Sequence, residues 1–275
     1  MQYNETAIFS DLDGTLFDSS GKVNERNKSA IRRYIAEGGL FAIATGRCPA
    51  NMQPYLVGVP YNAPSIVLNG GGIYDPATDS FLYTVFADRD ALAAVLRFAR
   101  ANLPLVNLQV YTEQDILYVS PRETLNIPFW ELHQTSCFVS IEEAERDDWF
   151  KALLFGTPEE LAVVQRFLDE SGLPERFDYV YATTDIVPNS RYIELLPKGS
   201  NKGTALNACR SLPEYAGRTL FGVGDYNNDR ELLTEADIAA APCNGHPDIL
   251  RMSDLILCTN NEGAIGDLID RIPSL

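Results

Sequence analysis

The chain is poor in the residues that disulfide, thiolate and imidazole chemistry require: 275 residues contain 5 cysteines and 2 histidines. Cys48, Cys137, Cys209, Cys243 and Cys258 are scattered, with no Cys-x-x-Cys spacing, so buried free thiols in a reducing compartment are expected. His133 and His246 stand apart from the other polar clusters, and His246 precedes Pro247 at an expected helix start, where a capping or surface role suits it. No run of eighteen or more apolar residues occurs, which argues against a membrane-spanning helix. Met1-Gln-Tyr-Asn-Glu5 has neither the basic nor the apolar region of a signal peptide, and a cytoplasmic location is the expectation. Fixed-period repeats and low-complexity linkers are also missing. Positive charge is scarce: 22 Lys and Arg stand against 38 Asp and Glu, a formal net charge of -16 that repels nucleic acid and anionic membrane surfaces.

What the chain does have is a set of polar clusters at the ends of apolar runs. Ala7-Ile8-Phe9 reads as a strand buried on both faces, and Gly14 marks the turn that follows Asp11-Leu12-Asp13. Carboxylates at a strand's carboxyl end lie where open α/β sheets place their ligands. On an extended backbone Asp11 and Asp13 leave on the same side while Leu12 points away, so one could attack as the other handles a proton. A solvated Asp-rich turn is the plainer alternative. Leu40 to Ala44 is a second buried run, ending in Thr45-Gly46-Arg47, a hydroxyl, a flexible residue and a cation suited to holding phosphoryl oxygens. Pro197-Lys-Gly-Ser-Asn-Lys202-Gly203 opens an amphipathic segment with Ala205, Leu206 and Cys209 at helical spacing. A lysine at a helix start opposes the macrodipole, so a nearby anion would rationalise Lys202. Thr219 to Val223 is a third run, leading into Gly224-Asp225-Tyr226-Asn227-Asn228-Asp229.

In this order the four clusters, Asp-x-Asp-Gly-Thr, Thr-Gly-Arg, Lys and Gly-Asp-x-x-Asn-Asp, resemble the motifs of the haloacid-dehalogenase-like (HAD) superfamily. The segment Glu194-Leu-Leu-Pro-Lys-Gly-Ser-Asn-Lys202-Gly-Thr-Ala-Leu is similar to the Cof-type hydrolases, whose cap domain lies between the second and third motifs. The resemblance covers residues 5 to 84 and 190 to 270, and the middle matches in position and length more than in sequence. Ala241-Pro-Cys-Asn-Gly245 departs from it, since many Cof-type chains carry a Met and an Asn-Ala pair there. That loop lies outside the catalytic motifs, so the departure bears on substrate more than on chemistry.

A pass along the chain fits this organisation. Ser65 to Leu68 is a further buried strand, followed by Asn69 and three glycines, and Ile73-Tyr74 and Phe81 to Thr84 flank a turn-rich Asp75 to Asp79 as a hairpin. Helical periodicity over 88–101, strands near 105–111, 116–119, 151–155 and 179–182, and a helix near 158–168 form a mixed middle region. From Tyr192 the alternation of strand and helix resumes, through 237–241 and 255–257 to a last helix over Ala264 to Arg271. The predicted fold is α/β, a doubly wound, mainly parallel HAD-like Rossmannoid core over 1–84 and 191–275 with an inserted α+β cap over 85–190.

Charge requirements suggest the chemistry. Phosphoryl transfer asks the protein mainly for in-line placement and neutralisation of the equatorial oxygens. In a chain this acidic, a phosphate ester must meet a local cation cluster, and Mg²⁺ with Lys202 and Arg47 would provide it. Asp11 is the expected nucleophile, forming an aspartyl-phosphate, and Asp13 the expected acid and base. Asp11, the backbone carbonyl of Asp13, and Asp225 are the expected Mg²⁺ ligands, a set the resemblance also implies, with Asp229 supporting. Thr45, Gly46, Lys202 and Asn228 would hold phosphoryl oxygens, and Asn69 and Arg47 would face the substrate; a pair with a surface carboxylate is the alternative for Arg47. The expected activity is a Mg²⁺-dependent phosphatase acting on a small phosphorylated metabolite, a sugar phosphate, nucleotide or phosphorylated cofactor. A phosphomutase on the same scaffold and a noncatalytic phospho-ligand binder are the alternatives. A dehalogenase has no leaving alkoxide to protonate, so Asp13 counts against it. The chain carries no signature of oligomeric state.

Overall fold

The computed structural model describes residues 1–113, 115–121, 137–183 and 189–275, which leaves His133 outside the described residues. The chain divides into two compact units, Met1–Thr84 with Asn201–Leu275, and Val85–Ser200.

In the first unit the apolar runs become one sheet, with strands in the spatial order Leu255–Leu257, Ile238–Pro242, Thr219–Val223, Thr6–Ser10 and Leu40–Ile43. Every neighbouring pair is parallel. Thr6–Ser10 is buried at all five positions, as a central strand covered on both faces must be. Ala7 and Phe9 join a cluster with Ala42, Ala205, Leu206, Cys209, Leu220 and Leu232, while the intervening Ile8 points the other way and is equally buried. Helix Lys202–Cys209 packs on helix Arg230–Glu235, and helix Glu25–Ala36 on helix Ala264–Arg271. Helix Glu25–Ala36 starts where the Asn24 side chain accepts from the Asn27 amide, and it buries Asn27, Ala30, Ile31 and Tyr34, one stripe at helical spacing. His246 caps helix Pro247–Met252, its Nδ1 accepting from the Asp248 amide at 3.3 Å.

The doubly wound α/β core is therefore present, with one addition. Ser65–Val67, Gly72–Asp75 and Ser80–Thr84 form a separate antiparallel sheet, including the expected hairpin. A single parallel bridge, Ala44 to Ile66, ties it to the main sheet.

The inserted unit is a six-stranded sheet in the order Phe177–Thr183, Arg191–Pro197, Lys151–Gly156, Asn107–Tyr111, Ile116–Tyr118 and Cys137–Phe138. One face carries Val106, Leu108, Val110, Ala152, Leu154, Ile193 and Leu195 into a cluster with apolar residues of helices Arg89–Asn102 and Pro158–Ser171. Asp88 and Thr157 cap those helices. The alternate strand positions include a buried polar group: Gln109 donates to Asn107 at 2.8 Å and receives from Tyr111 at 3.1 Å, and Lys151 is ion-paired with Glu194.

Two expectations are corrected. The second junction, placed at 191 from the sequence, falls after Ser200. Arg191–Pro197 is hydrogen-bonded between Phe177–Thr183 and Lys151–Gly156, so it is an interior strand of the inserted unit. Its apolar pattern specifies a buried strand but not which sheet receives it. The cysteines are all free, but only Cys48 and Cys209 are buried; Cys137 and Cys243 are exposed, on the last strand of the six-stranded sheet and on a loop. Among the described residues no helix is long and apolar enough to cross a membrane.

Candidate active site

The parallel pairing of Thr6–Ser10 with Leu40–Ile43 on one side and Thr219–Val223 on the other brings three of the four polar clusters to one edge of the sheet. Ser10 is in register with both Ile43 and Val223. The ladder runs one residue further, the Asp11 amide donating to the Val223 carbonyl at 2.9 Å and the Ala44 amide to the Ser10 carbonyl at 2.8 Å. The Ser10 hydroxyl donates to the Asp11 carbonyl at 2.7 Å.

After Asp11 the extended alternation expected from the sequence stops. Leu12–Leu16 is a wide turn, closed by the Phe17 amide donating to the Leu12 carbonyl at 2.8 Å. Gly14 takes φ +79°, and a Cβ there would overlap the Asp225 carboxylate, so the position demands glycine twice over. Asp11 and Asp13 consequently occupy different surroundings: Asp11 is buried, whereas the Asp13 side chain is 62% exposed.

The remaining cluster comes on a helix. Helix Lys202–Cys209 begins at Lys202, capped by Asn201, and Lys202 is wholly buried. Its Nζ donates to Asp11 Oδ1 and to Asp229 Oδ1, both at 2.6 Å. The anion that the lysine's place at a helix start called for is thus a pair of carboxylates. Asp229 Oδ2 accepts from the amides of Asp225 and Tyr226 at 3.0 and 3.2 Å, so both of its oxygens are committed. One oxygen from each of Asp11, Asp225 and Asp229 lies within 4.8 Å of the others.

Three carboxylates around one ammonium leave negative charge in excess. Burial, and next the charge of Asp229, raise the Asp11 carboxyl well above the ordinary range against the opposing pull of Lys202. The same two causes push Asp225 up to about 7. Burial draws the Lys202 ammonium down, but Asp11 and Asp229 outweigh it and the net shift is upward. Hard oxygen donors with unbalanced negative charge suit a divalent cation such as Mg²⁺, whose charge would reverse the repulsion that raises Asp11 and Asp225. Asp11 and Asp225 have the capacity to hold it; Asp229 is engaged with Lys202 and the turn amides.

Thr45 is buried; its Oγ1 accepts from the Arg47 amide at 3.2 Å and its carbonyl from the Asn69 amide at 3.0 Å. Gly46 lies so close to the Asn69 carboxamide that a Cβ would be 2.9 Å from both its oxygen and its nitrogen. Asn69 itself takes φ +53°. Arg47 is paired with a carboxylate, the exposed one of Asp13: Nε and Nη2 donate to Asp13 Oδ2 and Oδ1 at 3.0 and 2.8 Å. Asn228 is exposed on the Asn227–Asp229 turn, and no described hydrogen bond ties it to the cluster.

Two participants were not singled out in the sequence. Thr15 Oγ1 donates to Asp225 Oδ1 at 2.9 Å, and the Asp-x-Asp-Gly-Thr motif contained the signal. Asn244 donates from Nδ2 to the Gly14 carbonyl at 2.9 Å and accepts at Oδ1 from the Asn260 amide at 2.8 Å. The loop that departs from the Cof-type pattern therefore braces the turn carrying Asp13, a contact across 230 residues that no local pattern announces.

The chain is similar to known proteins in sequence and in fold. YwtE of Bacillus subtilis, a 5-amino-6-(5-phospho-D-ribitylamino)uracil phosphatase, is 24% identical over 287 residues, covering 96% of each chain. A haloacid dehalogenase-like hydrolase from Bacteroides thetaiotaomicron superposes with a TM-score of 0.80 at 21% identity, over 97% of this chain and 99% of that one. The HAD subclass IIB sugar phosphatase BT4131 gives a TM-score of 0.76 at 21% identity, over 98% and 100%. The pattern that defines the haloacid dehalogenase-like hydrolases matches residues 8–269, a span that holds the whole Asp11, Lys202, Asp225 and Asp229 cluster, and the chain belongs to that family.

Proposed function

We propose that the protein is a Mg²⁺-dependent phosphatase that hydrolyses a small phosphorylated metabolite through an aspartyl-phosphate on Asp11. The observation that carries this reading is the buried Asp11, held by Lys202 at one oxygen and clustered with Asp225 and Asp229 at the carboxyl edge of a parallel sheet. Lys202 fixes Oδ1, and no described hydrogen bond engages Oδ2, the oxygen that attacks phosphorus. Mg²⁺, when bound by Asp11 and Asp225, with the Asp13 carbonyl as third protein ligand, supplies charge neutralisation and alignment of nucleophile and phosphoryl oxygens.

The chain's own groups do the rest. Thr45 and Lys202, with the backbone of Gly46, hold phosphoryl oxygens, Asn228 closes over them from the exposed turn, and Asn69 and Arg47 face the ester. Asp13 gives a proton to the departing alkoxide and takes one from the water that cleaves the aspartyl-phosphate. Asp229 keeps Lys202 and the Asp225 turn in place. The phosphatase relatives act, by their names, on a phosphoribityl compound and on a sugar, which supports a phosphorylated polyol or sugar over a nucleotide as substrate here. The inserted unit, Val85–Ser200, selects among such esters.

The test is turnover of p-nitrophenyl phosphate and a panel of sugar and polyol phosphates with Mg²⁺ and with excess chelator. Asp11→Asn should abolish hydrolysis while leaving the circular dichroism spectrum unchanged, and rapid quench should trap acid-stable, alkali-labile phosphate on the wild-type chain. Normal turnover in Asp11→Asn, or full activity in chelator, would refute the reading.

A further inference from the structure

The carboxylate read above as the acid and base is held by an arginine whose own position is unusually determined. Exposed ion pairs generally contribute little, because two long side chains must be ordered in water. Here the guanidinium is not free to wander: the Arg47 side chain is only 17% exposed, and its Cζ lies 4.8 Å from the Tyr55 ring centroid and 5.7 Å from that of Phe17. Those rings lie 6.1 Å apart and tilted by 45°, two walls of a corner against which the guanidinium rests. The backbone of Arg47 is fixed as well, its amide bound to Thr45 Oγ1 and its carbonyl accepting from the Leu68 amide at 3.0 Å. Asp13, by contrast, is 62% exposed on a turn beside the positive-φ Gly14. Phe17 closes that same turn, so the segment bearing Asp13 also supplies part of the wall that fixes Arg47.

The fork is bidentate, and both Asp13 oxygens accept from it. Each oxygen thus has one of its lone-pair directions taken by the fork. A phosphoryl group presents the same spacing of anionic oxygens to a guanidinium and competes for the same two N–H groups.

We propose that Arg47 is a positioning residue for Asp13: its guanidinium, walled by Phe17 and Tyr55, clamps both carboxylate oxygens until a substrate phosphoryl oxygen takes one arm of the fork. Asp13 is then held by the remaining arm, with its second oxygen released toward the ester. The inference rests on the phosphatase reading only for the consequence; the clamp and its exchange for phosphate are properties of the resting protein. Engagement of the acid is thereby tied to arrival of a phosphate.

The experiment has an arm that needs no turnover. In the chain labelled with ¹⁵N-arginine, the Arg47 Nε–H resonance, assigned by its loss in Arg47→Lys, should exchange slowly with water. Asp13→Asn should speed that exchange by about tenfold or more, as loss of a charge-assisted hydrogen bond implies. Inorganic phosphate with Mg²⁺ should shift the resonance in the wild-type chain. A resonance indifferent to Asp13→Asn, or to phosphate, overturns the proposal. The kinetic arm compares p-nitrophenyl phosphate, whose phenolate hardly needs a proton, with an alkyl phosphate. Arg47→Lys should lower kcat on the alkyl ester by about tenfold, more than on p-nitrophenyl phosphate, and the excess loss on the alkyl ester should disappear in an Asp13→Asn background. Equal losses on both esters in both backgrounds would mean that Arg47 serves the phosphoryl group alone and does not position Asp13, and the proposal fails. If the wild-type chain turned over neither ester, the phosphatase reading would fall, while the resonance would still decide the clamp.

Discussion

Asp11, Asp225, Asp229 and Lys202 form a set in which no member is replaceable without cost to the others. Lys202→Ala leaves two carboxylates buried without their ammonium and should cost about 3–5 kcal/mol in urea unfolding at pH 8. The loss should shrink at pH 5, where the carboxylates can take protons instead. The pH dependence of the metal-free protein follows from the raised groups. A carboxyl whose folded pKa lies above its unfolded value binds more protons in the folded state, so its contribution is complete below the unfolded pKa and disappears as pH rises through the folded one. With Asp225 pushed up from 3.8 to about 7, thermal stability in chelator should fall between pH 4 and pH 8. Mg²⁺ should restore more of it at pH 8 than at pH 5, and Asp225→Asn should flatten the slope. A melting temperature that ignores both pH and Mg²⁺ across this window would contradict the charge assignment.

At the scale of elements, the turn Leu12–Leu16 decides what the motif can do. Asn amides brace it: Asn244 to the Gly14 carbonyl, Asn27 to that of Leu16 at 3.2 Å, and Asn260 to that of Phe17 at 2.9 Å. Asn244→Ala should cost about 1 kcal/mol of stability, the ordinary worth of a hydrogen bond, and a larger fraction of kcat, because Asp13 rides on the braced turn. The paired measurement is urea unfolding beside turnover of a poor-leaving-group ester; a loss of kcat no greater than the loss of folded protein would show that the brace is structural only. Gly14→Ala should be worse on both counts, since φ +79° disfavours a side chain and the new Cβ would displace Asp225.

For the whole molecule, two units with separate apolar cores imply two cooperative transitions. Calorimetry should resolve them, and Mg²⁺ should raise only the one belonging to Met1–Thr84 with Asn201–Leu275, which contains the carboxylate cluster. Leu154→Ala, in the cluster of the inserted unit, should lower the other by about 2–5 kcal/mol. One transition raised uniformly by Mg²⁺ would show that the units unfold together. The net charge of -16 belongs to this scale as well: under the proposed function it would leave an anionic substrate dependent on the local cations Lys202 and Arg47 and on a Mg²⁺ at the carboxylate cluster.

Much of this was legible in the residues. Apolar runs such as Ala7 to Phe9 and Thr219 to Val223 are buried on both faces and so read without alternation, and the polar residues that end them can face only the carboxyl edge of a parallel sheet. The polar clusters and their resemblance to the HAD motifs named Asp11, Lys202 and Asp225 together; parallel strands align the ends that carry Asp11 and Asp225, and a helix brings Lys202 to them. Tertiary structure alone decided the rest. Periodicity gives a strand but not its neighbour, which is why Arg191–Pro197 read as core and pairs instead within the inserted sheet. It could not reveal that the backbone turns after Asp11, separating a buried carboxylate from an exposed one, since that turn is fixed by Gly14 fitting under Asp225 from a distant strand. Nor could it place Arg47 on Asp13 and against Phe17 and Tyr55, or Asn244 on Gly14. Those contacts depend on the separation of side chains in space, and it is there that the chemistry of the site is tuned.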